Sequence, residues 1–287
     1  MSKVWLITGS AAGLGRNIAE AVLAAGDRLV ATAREPQRLD DLVERYGDQI
    51  RTVALDVTDS VAAQAAVKVA IDAFGRLDVL INNAGFGHMV PFEQTEEAAF
   101  RLEFDTNFFG VVNVTRAALP YLRKQGSGHI IQVSSVGGRI TTPGLSAYQS
   151  AKWAVGGFSD VLAQEVNPLG IHVTTLEPGG MQTNWVSRAS NSTVPLMPEY
   201  QESVGQWQEM LKQHNGKENS DPAKVAEVIL KVAYHDQPPL RLLIGSDALS
   251  YCAAVETDRT ATGERWKEVS AYPDATGTGP FPPLPKF

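Results

Sequence analysis

The feature that most constrains this chain is a sustained alternation: short apolar runs take turns with stretches whose apolar residues recur at helical spacing. Runs at 4–8, 28–33, 50–55, 77–81, 129–133, 171–176 and 241–244 read as strands. Between them, 14–25, a stretch from Pro36 to Tyr46, 61–74, 96–124, 146–166 and 223–234 read as helices. Strands apolar on both sides of the pleat are buried on both faces, and strands that alternate with helices make parallel βαβ units. Right-handed crossovers wind such units into a doubly wound parallel sheet of the Rossmann type, an α/β fold of about seven strands with helices on both faces. Ligands of such sheets lie outside the carboxyl ends of the strands.

No linker interrupts the pattern before about residue 250, so 1–250 is expected to be a single domain. Two segments depart from the rhythm. At 185–220, where a short connection would suffice, stand Trp185, Met197, Tyr200, Trp207 and Met210, an adaptable apolar set suited to a lid over a substrate. The extension at 251–287 is proline-rich from about residue 272; Pro273, Pro280, Pro282, Pro283 and Pro285 bar a long helix or central strand there. It reads as a disordered end, or an arm over this or a neighbouring subunit, rather than a polyproline ligand.

Composition excludes several classes. The 287 residues carry 25 basic and 32 acidic side chains, net −7, without basic clusters, which argues against nucleic acid as a partner. No apolar run approaches the roughly 18 residues of a membrane span. The first apolar run gives way to Thr8 and Gly9 too early for a secretory signal. Cys252 is the single cysteine, which excludes an intramolecular disulfide and a cysteine metal site. His88, His129, His172, His214 and His235 lack metal-ligand spacing. A reducing cytoplasm is the expected location, and no metal is expected.

Chemistry enters after the first strand, with Thr8-Gly9-Ser10-Ala11-Ala12-Gly13-Leu14-Gly15 leading into a helix. A pyrophosphate at a helix N-terminus must approach the backbone closely, and glycines permit it. A carboxylate at the end of the second strand would bind a ribose 2′-hydroxyl and favour NAD; here Ala33 is followed by Arg34, whose guanidinium suits a 2′-phosphate. NADP(H) is therefore expected over NAD(H). Asp56, after the third strand, is placed to hydrogen-bond adenine.

Tyr148 and Lys152 are four apart in a helical pattern and share a face. An ammonium beside a phenol lowers its pKa, and a tyrosine so poised can exchange a proton with a carbonyl or alcohol oxygen. Ser135 ends the fifth strand and can hydrogen-bond the same oxygen, while Asn107 can hold a water linking Lys152 to solvent.

Taken together, Thr8-Gly-x-x-x-Gly-x-Gly15, Leu55-Asp56-Val57, Asn82-Asn83-Ala84-Gly85, Asn107, Ser134-Ser135, Tyr148-x-x-x-Lys152 and Pro178-Gly179-x-x-x-Thr183 resemble the short-chain dehydrogenase/reductase family, from Lys3 to about Leu249. The resemblance implies Tyr148 as general acid/base and Lys152 as the residue that lowers its pKa and bonds the nicotinamide ribose. It implies Ser135 as the substrate-positioning hydroxyl, and Asn107 as anchor of a relay water. Gly9, Ser10, Gly13, Leu14 and Gly15 would line the pyrophosphate side, with Val57, Asn83, Ala84 and Gly85 along the dinucleotide and Pro178, Gly179 and Thr183 passing the nicotinamide. A homodimer or homotetramer is implied as well. The expected substrate is a small, largely apolar carbonyl or alcohol compound, in a pocket built from 88–92, 140–145 and the 185–220 segment. The competing readings are a catalytically silent dinucleotide sensor, an NAD(H)-preferring dehydrogenase of the same fold, and an epimerase or dehydratase with a bound nicotinamide.

Overall fold

A computed structural model of the chain describes residues 2–191, 194–274 and 279–285. Its seven strands are β1 (Val4–Ile7), β2 (Arg28–Ala33), β3 (Ile50–Ala54), β4 (Val79–Asn82), β5 (Gly128–Val133), β6 (Ile171–Pro178) and β7 (Arg241–Ile244). All pair in parallel, in the order β3-β2-β1-β4-β5-β6-β7. The chain builds outward from β1 to β3 on one side, then returns so that β4 pairs with the other edge of β1, Ile7 opposite both Ala31 and Ile81. At this reversal the connections diverge to opposite faces and leave a crevice at the carboxyl ends of β1 and β4.

The pleat separates two cores. Trp5, Ile7, Val79 and Ile81 point to α1 (Gly13–Ala24), α2 (Asp40–Tyr46) and α9 (Pro222–Ala233), where Ile18, Val22, Leu42 and Ile229 meet them. Val4, Leu6, Leu80 and Ile130 point the other way, to α3 (Ser60–Phe74), α5 (Gly110–Gln125) and α6 (Ser146–Val166). Each strand is apolar on both faces because each face has its own helical layer.

Three elements differ in detail from the sequence pattern. Pro36 opens a 3₁₀ turn, Pro36–Leu39, before α2 begins. The helical pattern over 96–124 divides into α4 (Glu97–Phe104), a π-helical turn at Asp105–Phe109, and α5. Such turns are frequent at functional sites, and this one carries Asn107. The segment after β6 forms α7 (Trp185–Ala189) and α8 (Gln206–His214).

The last helix, α10 (Ser246–Ala271), passes straight through residue 250. Its first half is fastened to the sheet: Asp247 accepts from the Gly180 amide at 2.7 Å, Cys252 is buried, and Glu256 pairs with Arg139. Arg259 lies 4.7 Å from the Trp153 ring centroid and donates to the Arg139 carbonyl. In the tail, Phe281 packs edge-on against Tyr272. Residues 192–193 of the lid segment, and 275–278 and 286–287 of the proline-rich tail, lie outside the described residues.

Candidate active site

The ends of β1 and β4 are stitched together before any ligand is considered. Thr8 Oγ1 accepts from the Asn83 and Ala84 amides at 2.9 and 3.0 Å. Asn83 Nδ2 donates back to the carbonyls of Thr8 and Gly9 at 2.9 and 3.2 Å. Ser10 donates to the Ile7 carbonyl at 2.9 Å. Gly9 and Gly13 have φ of +70° and +56°, which favours glycine. A Cβ on Gly15 would stand 2.3 Å from the Gly9 carbonyl oxygen and 2.4 Å from Asn83 Nδ2.

α1 begins at Ala12 with no side-chain cap and no acidic residue in its first turn. Its first amides are thus free of side-chain partners, and with the two left-handed glycines they fit the pyrophosphate of a dinucleotide. Thr183 sits against this loop, its Cγ2 3.9 Å from where a Gly13 Cβ would be, and its hydroxyl accepts from the Trp185 amide. Pro178 ends β6, and the Gly179 amide donates to the Ile244 carbonyl at 2.9 Å.

Arg34 is exposed just beyond β2. Asp56 accepts from both the amide and the hydroxyl of Thr58 at 3.0 and 2.8 Å. The Thr58 amide first, and the nearby Arg34 charge last, hold this carboxyl below the ordinary aspartate range. The carbonyl of Val57 accepts from Asn113, and its side chain fills the space a Cβ on Gly110 would need.

Tyr148, Lys152, Ser135 and Asn107 converge at the same crevice. Tyr148 is 9% exposed and Lys152 4%, both on the inward face of α6. Ser135 lies beside the phenol, and its Oγ accepts from the Gly137 amide at 3.0 Å. Gly87 sits where the Tyr148 and Trp185 rings meet: a Cβ there would fall 3.0 Å from Tyr148 Cδ2 and 3.1 Å from Trp185 Cζ2, and the ring centroids are 5.1 Å apart. Lys152 Nζ donates to the Val133 carbonyl at 2.8 Å and lies 5.7 Å from the Tyr148 ring centroid.

Asn107 is fully buried. Its Nδ2 donates to the carbonyls of Phe86 and Glu103 at 2.8 and 2.7 Å, and its Oδ1 accepts from the Phe86 amide at 3.2 Å. A Cβ on Gly85 would fall 2.5 Å from that Oδ1 and 3.6 Å from Lys152 Nζ, so the glycine lets the loop pass. Both ends of its side-chain amide thus hydrogen-bond backbone.

The charge state departs from expectation. The sequence spacing predicts a phenol with a lowered pKa. In the structure burial pushes Tyr148 up to about 12, against the lowering influence of the neighbouring Ser135 hydroxyl, while Glu103 adds to the rise. Burial likewise brings the Lys152 ammonium down to about 8. Desolvation opposes the charged form of both groups.

On the substrate side, Met89, Leu145, Tyr148 and Val204 form one apolar cluster, joined by Trp185, Leu196, Tyr200, Trp207 and Leu211. The segments expected to meet here do so. The Met89 amide donates to the Ala189 carbonyl and the Val90 amide to that of Gly144, each at 2.9 Å. Gln208 Nε2 donates to the Met89 carbonyl, and Gln94 both donates to the Pro195 carbonyl and accepts from the Met197 amide. An open groove of about 650 Å³ runs alongside, past Phe92, Thr142, Trp153 and Tyr200.

Two groups of this site have no place in the sequence motifs. Glu103 is buried in α4 and accepts at Oε1 from both the amide (3.1 Å) and Nδ1 (2.9 Å) of His88. A glutamate four residues before Asn107, on the same helical face, is the signal that could have found it. Elsewhere, His129 is a core residue whose ring meets Thr174 at 2.9 Å; burial brings it down to about 3.

Comparison with known proteins agrees with this geometry. A family model described as short chain dehydrogenase matches residues 3–193. Oxidoreductase BOA17 of Botryotinia fuckeliana is 51% identical over 272 residues, covering 94% of this chain and 98% of that protein. The crystal structure of a short-chain dehydrogenase from Streptomyces avermitilis superposes with a TM-score of 0.88 at 38% identity, over 96% of this chain and all of that one. A 3-ketodihydrosphingosine reductase of Bacteroides thetaiotaomicron is 34% identical over 244 residues, 85% of this chain and 88% of that protein. The chain belongs to the short-chain dehydrogenase/reductase family and is an oxidoreductase acting with NAD(P). No helix among the described residues is long and apolar enough to cross a membrane.

Proposed function

We propose that the chain interconverts an alcohol and a ketone or aldehyde with NADP(H), and that Tyr148 gives or takes the proton at the substrate oxygen. The observation that carries this reading is the setting of one phenol: buried, beside Ser135, and walled by Gly87 and Trp185. Held well above neutrality, it is a neutral proton donor, the form that carbonyl reduction requires. The relative named as a reductase of a 3-keto compound supports the same direction.

The bound nicotinamide supplies or accepts the hydride at the carbonyl carbon. The rest falls to the chain. Ser135 orients the oxygen beside the phenol. Lys152 anchors the nicotinamide ribose, and its positive charge offsets the phenolate left once Tyr148 has given its proton. Asn107 fixes Gly85 and Phe86 as the wall of that site. Gly9, Ser10, Gly13, Leu14 and Gly15 cradle the pyrophosphate, with Val57, Asn83, Ala84, Pro178, Gly179 and Thr183 around the dinucleotide. Arg34 takes the 2′-phosphate, and Asp56 meets the adenine end. The apolar cluster around Met89, Leu145 and Val204 favours a largely apolar substrate.

The test is NADPH and NADH oxidation against a panel of aldehydes and ketones, with Tyr148→Phe beside the parent. Turnover with NADPH that falls about 100- to 10,000-fold in the variant, with NADPH binding retained, is the expected result. A variant as active as the parent overturns the role of Tyr148, and equal use of NADH overturns that of Arg34.

A further inference from the structure

The loop from Gly85 to His88 forms one face of the slot that holds the Tyr148 ring, and it is held from behind by α4 and the π turn. Asn107 takes the amide and carbonyl of Phe86. Glu103 takes the amide and ring of His88. Glu103 is only 1% exposed, and its second oxygen, Oε2, is buried with no partner. A buried carboxylate left half-satisfied is costly, and a leucine at this helical position would avoid the cost. His88, by contrast, keeps 43% of its side chain in solvent. The pair therefore runs from bulk water to the back of the tyrosine slot.

We propose that Glu103 and His88 are a positioning pair for Tyr148: the carboxylate straps the 86–88 backbone against the phenol, and its charge sets the pH at which the phenol works. The inference rests on Tyr148 being the acid/base group. The electrostatic sign follows from the contacts. A negative Glu103 disfavours the phenolate, and burial in turn holds the Glu103 carboxyl above the ordinary glutamate range, against the His88 contact. The other charged groups on the elements around the phenol are Lys152 on α6, committed to the Val133 carbonyl, Arg101 on α4, paired with Glu97 in solvent, and Arg188 on α7, donating to the Asn184 carbonyl.

The experiment is a pH–rate profile for ketone reduction with NADPH, using the best ketone of the panel, for the parent, Glu103→Gln and His88→Gln. Hydrogen exchange of the 85–89 amides is followed by mass spectrometry in the same proteins and in Glu103→Leu. Glutamine at 103 is isosteric and uncharged, so the alkaline limb moves down by about 0.5–1 pH unit with the KM for NADPH unchanged. Glutamine at 88 removes the ring's bond to Glu103, and the 85–89 amides exchange faster in that variant. In Glu103→Leu, the 85–89 amides exchange faster; should leucine unfold the chain, Glu103→Gln and His88→Gln carry the test. An unmoved limb in Glu103→Gln, in an enzyme that Tyr148→Phe silences, overturns the pair and leaves the catalytic reading intact. Unchanged exchange of the 85–89 amides in both His88→Gln and Glu103→Leu overturns the strap. An active Tyr148→Phe overturns both readings together.

Discussion

The two walls of the crevice are held by different kinds of contact. On the dinucleotide side, the ends of β1 and β4 are locked by short reciprocal bonds between Thr8 and the 83–84 segment, with a glycine at 15 because nothing larger fits. On the substrate side, the segment after β6 is tied down by longer side chains, Gln94 and Gln208, reaching backbone about a hundred residues away, and by apolar packing of Trp185, Val204 and Trp207. The first kind of wall tolerates almost no change of volume. The second can repack, since flexible side chains and loop backbone absorb small shifts. A fold can thus keep one cofactor cradle while its substrate wall varies.

The comparison breaks most sharply at Gly15. Gly15→Ala puts a methyl against the Gly9 carbonyl and Asn83, and the expected cost is about 3 kcal/mol of stability in urea denaturation, with NADPH affinity falling at least about 100-fold. A variant that binds NADPH like the parent would show that this wall is as forgiving as the other.

Lys152 stands at the seam between the walls and gives a pH signature. Its pKa of about 8 in the folded chain lies below the ordinary lysine value of 10.5, so between these values the unfolded chain holds more protons. The Lys152 contribution is therefore complete above the unfolded value and is lost as pH falls through about 8. Lys152→Met removes this burden, so its stability gain over the parent is larger at about pH 7 than at about pH 9.5, by something on the order of 1–2 kcal/mol. Urea denaturation at the two pH values checks it; a gain independent of pH would mean that the ammonium is solvated in place.

At the rim of the dinucleotide wall, Arg34→Ala is expected to weaken NADPH binding about 10-fold and leave NADH nearly unchanged, read by fluorescence titration. Equal losses for both would move the guanidinium away from the 2′-phosphate. The mildest effect is expected on the substrate wall. Gln208→Ala deletes the bond to the Met89 carbonyl, costs about 0.5–1 kcal/mol, and alters the ranking of ketones without altering NADPH affinity. A large loss of NADPH affinity there would mean the two walls are coupled.

Much of this was legible in the residues themselves. The apolar runs at 4–8 and 77–81 and the glycine run from 9 to 15 already fix a parallel sheet with an anion cradle at its switch point, because strand burial and close backbone approach are local properties of the chain. The spacing of Tyr148 and Lys152 fixes their common helical face for the same reason. The continuation of α10 beyond residue 250 was harder to read, since its sequence has little helical amphipathicity and its hold on the body comes from Asp247, Glu256 and Arg259 reaching distant partners.

Sequence alone therefore determined the layer architecture, the glycine loop after β1 and the identity of the residues that gather at the crevice. Only the tertiary structure decided that the Tyr148 phenol is raised rather than lowered, that Asn107 spends its amide on Phe86, and that Glu103 stands buried behind the tyrosine slot. The physical reason is common to all three. A pKa or a hydrogen-bond partner is set by how much water the surrounding elements exclude and which dipoles they leave in reach, and those elements are brought together by the fold rather than by neighbourhood in the chain.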